Sequence, residues 1–179
     1  MKLDIGASYN THRAGPGWIC MDINNADILQ DLSKFPWDIK SSSVDAINAS
    51  HILEHLLKDN AYKFLNECNR ILVPGGAISI SVPNMDNFIN YHLYNDKSFV
   101  GDYTKTDLNL NLGGVHEFTD PWQHKYMYNY ETLAYMLDAC RFIDISQHAI
   151  DQSPYPTLQA VNNPKHQIFS LYVSASKNI

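Results

Sequence analysis

The sequence contains no run of basic residues, no apolar stretch of membrane-spanning length, no C-x-x-C pair and no G-x-G-x-x-G. Each absence excludes a class of function. With 13 Lys and Arg against 19 Asp and Glu the net charge is −6, which disfavours nucleic acid as a partner, since phosphate binding needs clustered cations. A membrane helix needs about 20 consecutive apolar residues, and no secretory h-region opens the chain. Membrane attachment is therefore not expected, and the location is read as cytoplasmic. The three cysteines, Cys20, Cys68 and Cys140, are far apart, odd in number and set in apolar patterns. They read as buried thiols in a reducing compartment, not as a disulfide framework. After Gly6 the next glycine is Gly15, so the chain offers no pyrophosphate cradle for a dinucleotide.

What is present suits one domain. A chain of 179 residues buries roughly 70% of its unfolded surface, so residues 1–179 are expected to share a single core. Leu3-Asp4-Ile5 and Trp18-Ile-Cys-Met-Asp22 are short, apolar runs that end in or hold an acid, as strands buried on both faces of a parallel sheet do. Only Gly6 to Gly17 separate them, which is too few residues for a full helix. Ala26 to Pro36 reads as a short strand and turn, and Val44 to Ala49 as a further strand. From Asp59 to Leu72, Ala61, Phe64, Leu65, Cys68, Ile71 and Leu72 fall on one helical stripe, with Asp59 or Asn60 as N-cap. Val73-Pro74-Gly75-Gly76 ends that helix, and Ala77 to Val82 follows as a strand. Strand, helix, turn and strand make a βαβ unit.

Between Tyr91 and Tyr130 the periodicity fades, while aromatics, Gly113-Gly114 and the histidines His92, His116 and His124 accumulate. Residues about 86 to 129 are expected to form a partial lid. Asn129 then caps a helix over Tyr130 to Cys140, and strands follow over Phe142 to Ala149 and Gln167 to Ala175. The proline-rich loop from Asp151 to Pro164 suits an antiparallel pair closing one sheet edge. Because the early crossovers are short, one sheet face near the first strands looks thinly covered. The lid or a second copy, in a homodimer, is expected to cover it.

Gly6 at the end of the first strand and Asp22 at the end of the second have the spacing of a nucleoside site, with the acid on ribose hydroxyls. The ordered segments "LDIGAS", "GWICMDI", "ADILQDL", "SVDAINASHILEHL", "FLNECNRILVPGGAISISVPN" and "HKYMYNYETLAYMLDACRF" carry a wider likeness. The chain resembles the class I S-adenosylmethionine-dependent methyltransferases, particularly the methyltransferase type 11 branch. The resemblance implies a three-layer α/β, Rossmann-like fold with a mostly parallel seven-stranded sheet and an antiparallel edge strand. It also implies S-adenosylmethionine as cofactor and S-adenosylhomocysteine as product.

By position, the resemblance puts Asp4, Gly6, Ala7 and Ser8 at the methionine end of the cofactor. Asp22 would hold the ribose, Ile23 would pack on adenine, and Asp31 with Leu32 would border the adenine amine. Ala49, Ser50 and His51 would line the cofactor beneath the methyl. The chain departs from the family where Ser8 adds a side chain and where Cys140-Arg141-Phe142 replaces a common Ala-Gly-Phe. Ser8 and the missing helix motivate an alternative, a non-catalytic or degenerate cofactor-binding protein.

Methyl transfer to a hydroxyl needs near-attack geometry and a base for the leaving proton. His116, His124 and His51 are the candidate bases, and Tyr126, Tyr128 and Trp122 candidate pocket walls. Asn48-Ala-Ser-His51 stands where nucleobase-amine enzymes carry a Pro-Pro motif, so the expected acceptor is a small-molecule or glycan hydroxyl. His51-x-x-Glu54-His55 also matches an inverted zinc-protease string, with Glu54 as base and Glu131 as a conceivable further ligand. Its place directly after a strand argues against a zinc hydrolase, and no metal ligand set is assigned.

Overall fold

The structure is a computed structural model that describes residues 1–7, 15–94, 124–159, 161 and 169–179. Its strands are β1 (Lys2–Ile5), β2 (Trp18–Asp22), β3 (Ile28–Leu29), β4 (Val44–Ser50), β5 (Leu72–Pro83), β6 (Phe142–His148) and β7 (Ser170–Lys177). They form one seven-stranded sheet in the order β3-β2-β1-β4-β5-β7-β6. β1 to β5 pair in parallel, and β7 runs against both its neighbours, β5 and β6. The antiparallel pair closes that edge as the sequence suggests, with the reversed strand lying one place in from the edge. Among the described residues, the helices are α1 (Lys58–Ile71), α2 (Met85–Tyr94) and α3 (Tyr130–Ala139), and none is long and apolar enough to cross a membrane.

α1 is the helix of the expected βαβ unit, starting one residue earlier than its pattern suggests. Its N-cap is Leu57, with no side-chain cap, so neither Asp59 nor Asn60 serves. Asp59 lies instead in the first turn, where a carboxylate meets the positive end of the helix dipole. The stripe Ala61, Phe64, Leu65, Cys68 and Ile71 is buried in the main core with Leu3, Ile5, Ile47, Ile78 and Val173 of the sheet. Leu133, Met136 and Leu137 of α3 join the same core, and Asn129 caps α3 by accepting from the Thr132 N–H at 3.0 Å. Cys20, Cys68 and Cys140 are all buried and unbridged; burial pushes the Cys140 thiol up to about 11.

β5 begins at Leu72, so the Val-Pro-Gly-Gly segment is not a separate turn. The β4 partner jumps from Leu72 at Val44 to Ala77 at Ala46, and Val73 to Gly76 form the irregularity between them. The regular ladder starts at Ala77, where the sequence pattern starts.

The other sheet face is small and polar: Asp4, Asn48, Ser79, Ser81, Ser174 and Ser176 are all buried. Near β1 and β2 its apolar patch, Trp18, Ala46 and Ala77, packs against Leu158, Val161 and Tyr155. The Asn48 amide donates to Asp4 Oδ1 at 2.8 Å and to the Val161 carbonyl at 3.2 Å. Among the described residues, the β6–β7 connection supplies cover to this face. The sequence separation of that contact, more than a hundred residues, hides it from local pattern.

No helix lies between β2 and β4. Arg70 on α1 ties that stretch down, donating to Ser41 Oγ at 2.8 Å, to the Trp37 carbonyl at 3.2 Å and to the Ile39 carbonyl at 2.8 Å. Glu67 accepts from the Trp37 N–H at 2.7 Å and pairs with Arg70 at 2.6 Å. Burial pushes the Glu67 carboxyl up, but the Arg70 and Trp37 hydrogen bonds outweigh it and hold the carboxyl below its ordinary value. Such a group stabilises the fold above its unfolded pKa, about 4.3, and loses that stabilisation as pH falls through the lower folded value. Unfolding free energy followed by urea from pH 6 to pH 2.5 is expected to drop more steeply in the wild type than in Glu67→Gln. Parallel acid limbs would show that Glu67 is not a source of the acid sensitivity.

Arg141, just past α3, has φ +65, a left-handed conformation that costs an L-residue about 1–2 kcal/mol and glycine little. This is where the resembling family has glycine. Arg141→Gly is expected to raise stability by about 0.5–1 kcal/mol, visible as a higher melting temperature; a lower one would contradict the strain.

Candidate functional site

The parallel register brings the carboxyl ends of three strands to one rim. Ile5 sits beside Met21 of β2 and Ala49 of β4, so Gly6, Asp22 and Ser50 emerge together, as ligand crevices of open α/β sheets require. A cleft of about 640 Å³ opens there, lined among others by Gly6, Asp22, Ile23, Asp31, Leu32, His51, Ile52, His55, Leu57, Asn60 and Lys125.

Gly6 has φ +75, and its N–H donates to the Met21 carbonyl at 2.7 Å. A Cβ there would lie 1.9 Å from Ile52 Cδ1, so glycine is required both by the backbone turn and by the close approach of Ile52. Asp22 Oδ1 accepts from the Ile23 N–H at 2.5 Å, which fixes the carboxylate at the strand end. Ile23 is 47% exposed, an apolar side chain open to a ring laid against it. Asp31 Oδ1 accepts from the Ser33 hydroxyl at 2.6 Å and the Ser33 N–H at 3.0 Å, and Oδ2 meets Lys34 at 3.2 Å. These contacts, the Ser33 hydroxyl first, hold its carboxyl below the ordinary value. Asp31 therefore shapes the turn that forms one wall of the cleft.

His51 directly follows β4 with φ +54, its N–H donating to the Ser81 carbonyl at 2.8 Å. Its ring is pinned at both nitrogens: Nδ1 lies 2.9 Å from Glu54 Oε1, and Nε2 lies 2.9 Å from Ser170 Oγ. The ring lines the cleft. A 3-10 turn, Leu53–His55, follows. The Glu54 carbonyl accepts from the Lys125 N–H at 2.6 Å and the Tyr126 N–H at 3.2 Å, which seats His124 beside His55 with ring centroids 4.9 Å apart. Tyr128 is fully buried, its hydroxyl reaching the Leu53 carbonyl at 3.4 Å. Burial, then the Glu54 charge, push its phenol up, so it is a core residue and not an acceptor wall. Tyr126 packs on it at 4.9 Å.

The arrangement corrects the zinc-protease reading of His51-x-x-Glu54-His55. That reading needs both histidines one turn apart on a helix, whereas here a strand end and a single 3-10 turn carry them. Glu131 lies exposed in the first turn of α3, outside the group formed by Glu54, His55 and His124.

Of the residues assigned from the resemblance, Gly6, Asp22, Ile23, Asp31, Leu32 and His51 line the cleft. Asp4 does not: it is buried on the polar sheet face against Asn48. Ala49 belongs to the helix-side core, Ala7 is buried, and Ser50 accepts from Ser81 Oγ at 2.8 Å. Ser8, His116 and Trp122, the Gly113-Gly114 pair and most of the expected lid lie outside the described residues, as does the His92 side chain. Ile52, Leu57, Asn60 and Lys125 were missed. Leu57 and Asn60 stand at the start of α1, and their place at a helix N-terminus facing a strand rim was the available signal.

Residues 9–80 match the profile of a family described as a methyltransferase domain. No curated protein matches the chain. Among solved structures, a SAM dependent methyltransferase from Archaeoglobus fulgidus aligns with TM-score 0.58 and 18% identity, over 98% of this chain and 85% of that one. One from Methanosarcina mazei aligns with TM-score 0.56 and 15% identity, over 99% and 92%. The 1,6-didemethyltoxoflavin-N1-methyltransferase of Burkholderia thailandensis, solved with 1,6-didemethyltoxoflavin and S-adenosylhomocysteine, aligns with TM-score 0.54 and 15% identity, over 99% and 71%.

Proposed function

We propose that this chain, which carries the class I methyltransferase fold and the methyltransferase-domain signature over residues 9–80, binds S-adenosylmethionine in the cleft. We further propose that it transfers the methyl group to a hydroxyl of a small molecule or sugar. The observation that carries the reading is the meeting of Gly6, Asp22 and Ile23 in one cleft at the strand ends.

The residues fit the cofactor. The cleft volume, about 640 Å³, is in the usual range for a drug-sized ligand. Asp22 presents a carboxylate suited to a ribose diol, Ile23 an apolar surface for a purine, and Gly6 a backbone without Cβ. The bound sulfonium supplies an activated methyl group. The chain's own task is to orient the acceptor and exclude water, which Ile52, Leu56 and Leu57 on the cleft wall favour. A hydroxyl acceptor is supported by the absence of a base-amine motif at Asn48-Ala-Ser-His51. The cytoplasmic location read from the sequence belongs to the same proposal.

Gly6→Ala is expected to weaken S-adenosylhomocysteine binding by about tenfold or more, equivalent to 1.4 kcal/mol or more, because the added Cβ meets Ile52, which lines the cleft, and must displace it. Unchanged affinity in a titration would mean the cofactor does not approach Gly6.

The proposed reaction is tested with methyl-labelled S-adenosylmethionine and a panel of sugar and phenolic hydroxyl acceptors. Transfer of label to one acceptor class, lost in Asp22→Ala, supports the reading. Tight cofactor binding with no transfer to any of them would favour a cofactor-binding protein without turnover.

A further inference from the structure

Three metal-binding side chains converge at the cleft rim, and the proposed methyl transfer does not itself require them. One oxygen of Glu54 and one ring nitrogen each of His55 and His124 lie within 4.8 Å of one another. Ligands about 2.1 Å from a common ion stand roughly 3–4 Å apart, so small ring adjustments close the set. Glu54 is 1% exposed. Its Oε1 lies 2.9 Å from His51 Nδ1, and among the described residues neither carboxylate oxygen, both buried, has a hydrogen-bond partner. A buried carboxylate oxygen left without a donor is costly, and a cation is the partner that relieves it. The scaffold is built for the purpose: the Glu54 carbonyl takes both the Lys125 and Tyr126 N–H groups, fixing His124 against the turn that carries the other two ligands.

We propose that Glu54, His55 and His124 bind a divalent first-row transition ion, with His51 as the residue that orients the Glu54 carboxylate. Two imidazoles and a carboxylate form a three-ligand set that leaves positions open for water or a substrate oxygen. A side chain set close behind a ligating carboxylate, as His51 is behind Glu54, is the usual supporting arrangement. The histidine string at the end of β4 therefore contributes to a metal site, but with Glu54 as ligand and His51 behind it. His55 and Lys125 line the cleft, so the proposed ion site borders the space where an acceptor would sit.

The consequence for the reaction rests on the methyl-transfer reading; the binding does not. An acceptor hydroxyl on the ion becomes more acidic and loses its proton to water. Its oxygen then forms the O–CH3 bond as the C–S bond breaks, the electron pair returning to sulfur and leaving a neutral thioether. The ion's charge and oxidation state do not change.

The test is a titration of the chelator-stripped protein with Co2+, followed by its visible absorption, and a competition with Zn2+. One equivalent is expected to bind, with affinity reduced at least tenfold in both His124→Ala and Glu54→Gln. His148→Ala is the control, since that ring bonds Ser174 Oγ at 2.8 Å and is not in the cluster. No stoichiometric binding to the wild type, or binding unchanged in both ligand variants, would overturn the site. Because Glu54 is buried, His124→Ala decides if Glu54→Gln fails to fold. A parallel titration with S-adenosylhomocysteine separates the two readings. Cofactor binding without Co2+ binding removes the metal site alone, and Co2+ binding without cofactor binding removes the methyl-transfer reading alone.

Discussion

Asp22→Ala is expected to lower the affinity for S-adenosylhomocysteine by about 100-fold while leaving the melting temperature nearly unchanged. The carboxylate ends β2 and lines the cleft, and among the described residues its one side-chain hydrogen bond is from the Ile23 N–H at 2.5 Å. Hydrogen bonds to a charged group contribute about 1.5–3 kcal/mol each. Losing a ribose diol's grip therefore approaches the roughly 2.7 kcal/mol that a 100-fold change represents. Asp31→Ala serves as the contrast. Both Asp31 oxygens already hold Ser33 and Lys34, so its loss acts through the turn and should weaken binding less. Equal effects from the two variants would mean that Asp22 has no direct contact with the ligand.

Trp37→Ala is expected to cost about 4 kcal/mol of stability, a large part of the 5–15 kcal/mol typical of a domain. The connection from β3 to β4 has no helix, and Trp37 is its anchor. The ring is 3% exposed, edge-on to Phe64 at 5.4 Å and tilted against Phe35 at 5.8 Å. Its indole Nε1 is buried with no hydrogen-bond partner among the described residues, so the ring contributes packing and not a polar contact. Trp37→Phe, which removes that donor and keeps an aromatic ring, should therefore cost well under half as much. Urea unfolding of both variants checks the pair. A loss below about 1 kcal/mol in Trp37→Ala would show that the Arg70 and Glu67 hydrogen bonds hold the connection without the ring.

Local periodicity made the framework legible. β1 and β2 declare themselves by apolar runs that hold or end in an acid, α1 by its stripe from Ala61 to Ile71, and α3 by Asn129 before Tyr130. Gly6 and Asp22 were legible because register and twofold alternation fix what leaves the carboxyl end of a parallel strand. The features that were not legible depend on contacts distant in sequence. The order β5-β7-β6 is a choice among pairings, and no residue of β7 encodes it alone. Leu158 and Val161 cover Trp18 from the far end of the chain. Asp4, assigned to the cofactor by position, lies one residue inside the end of β1, buried, where the Asn48 amide donates to its Oδ1. The Glu54, His55 and His124 group needs Lys125 and Tyr126 to dock on a carbonyl about seventy residues earlier.

The central claim is that the cleft above Gly6 and Asp22 holds the nucleoside half of S-adenosylmethionine. Calorimetric titration of the folded protein with S-adenosylhomocysteine tests it most directly. The wild type is expected to bind close to one equivalent, and Asp22→Ala to bind about 100-fold more weakly. A folded sample that takes up no ligand would contradict it, leaving a methyltransferase fold whose cleft serves something else.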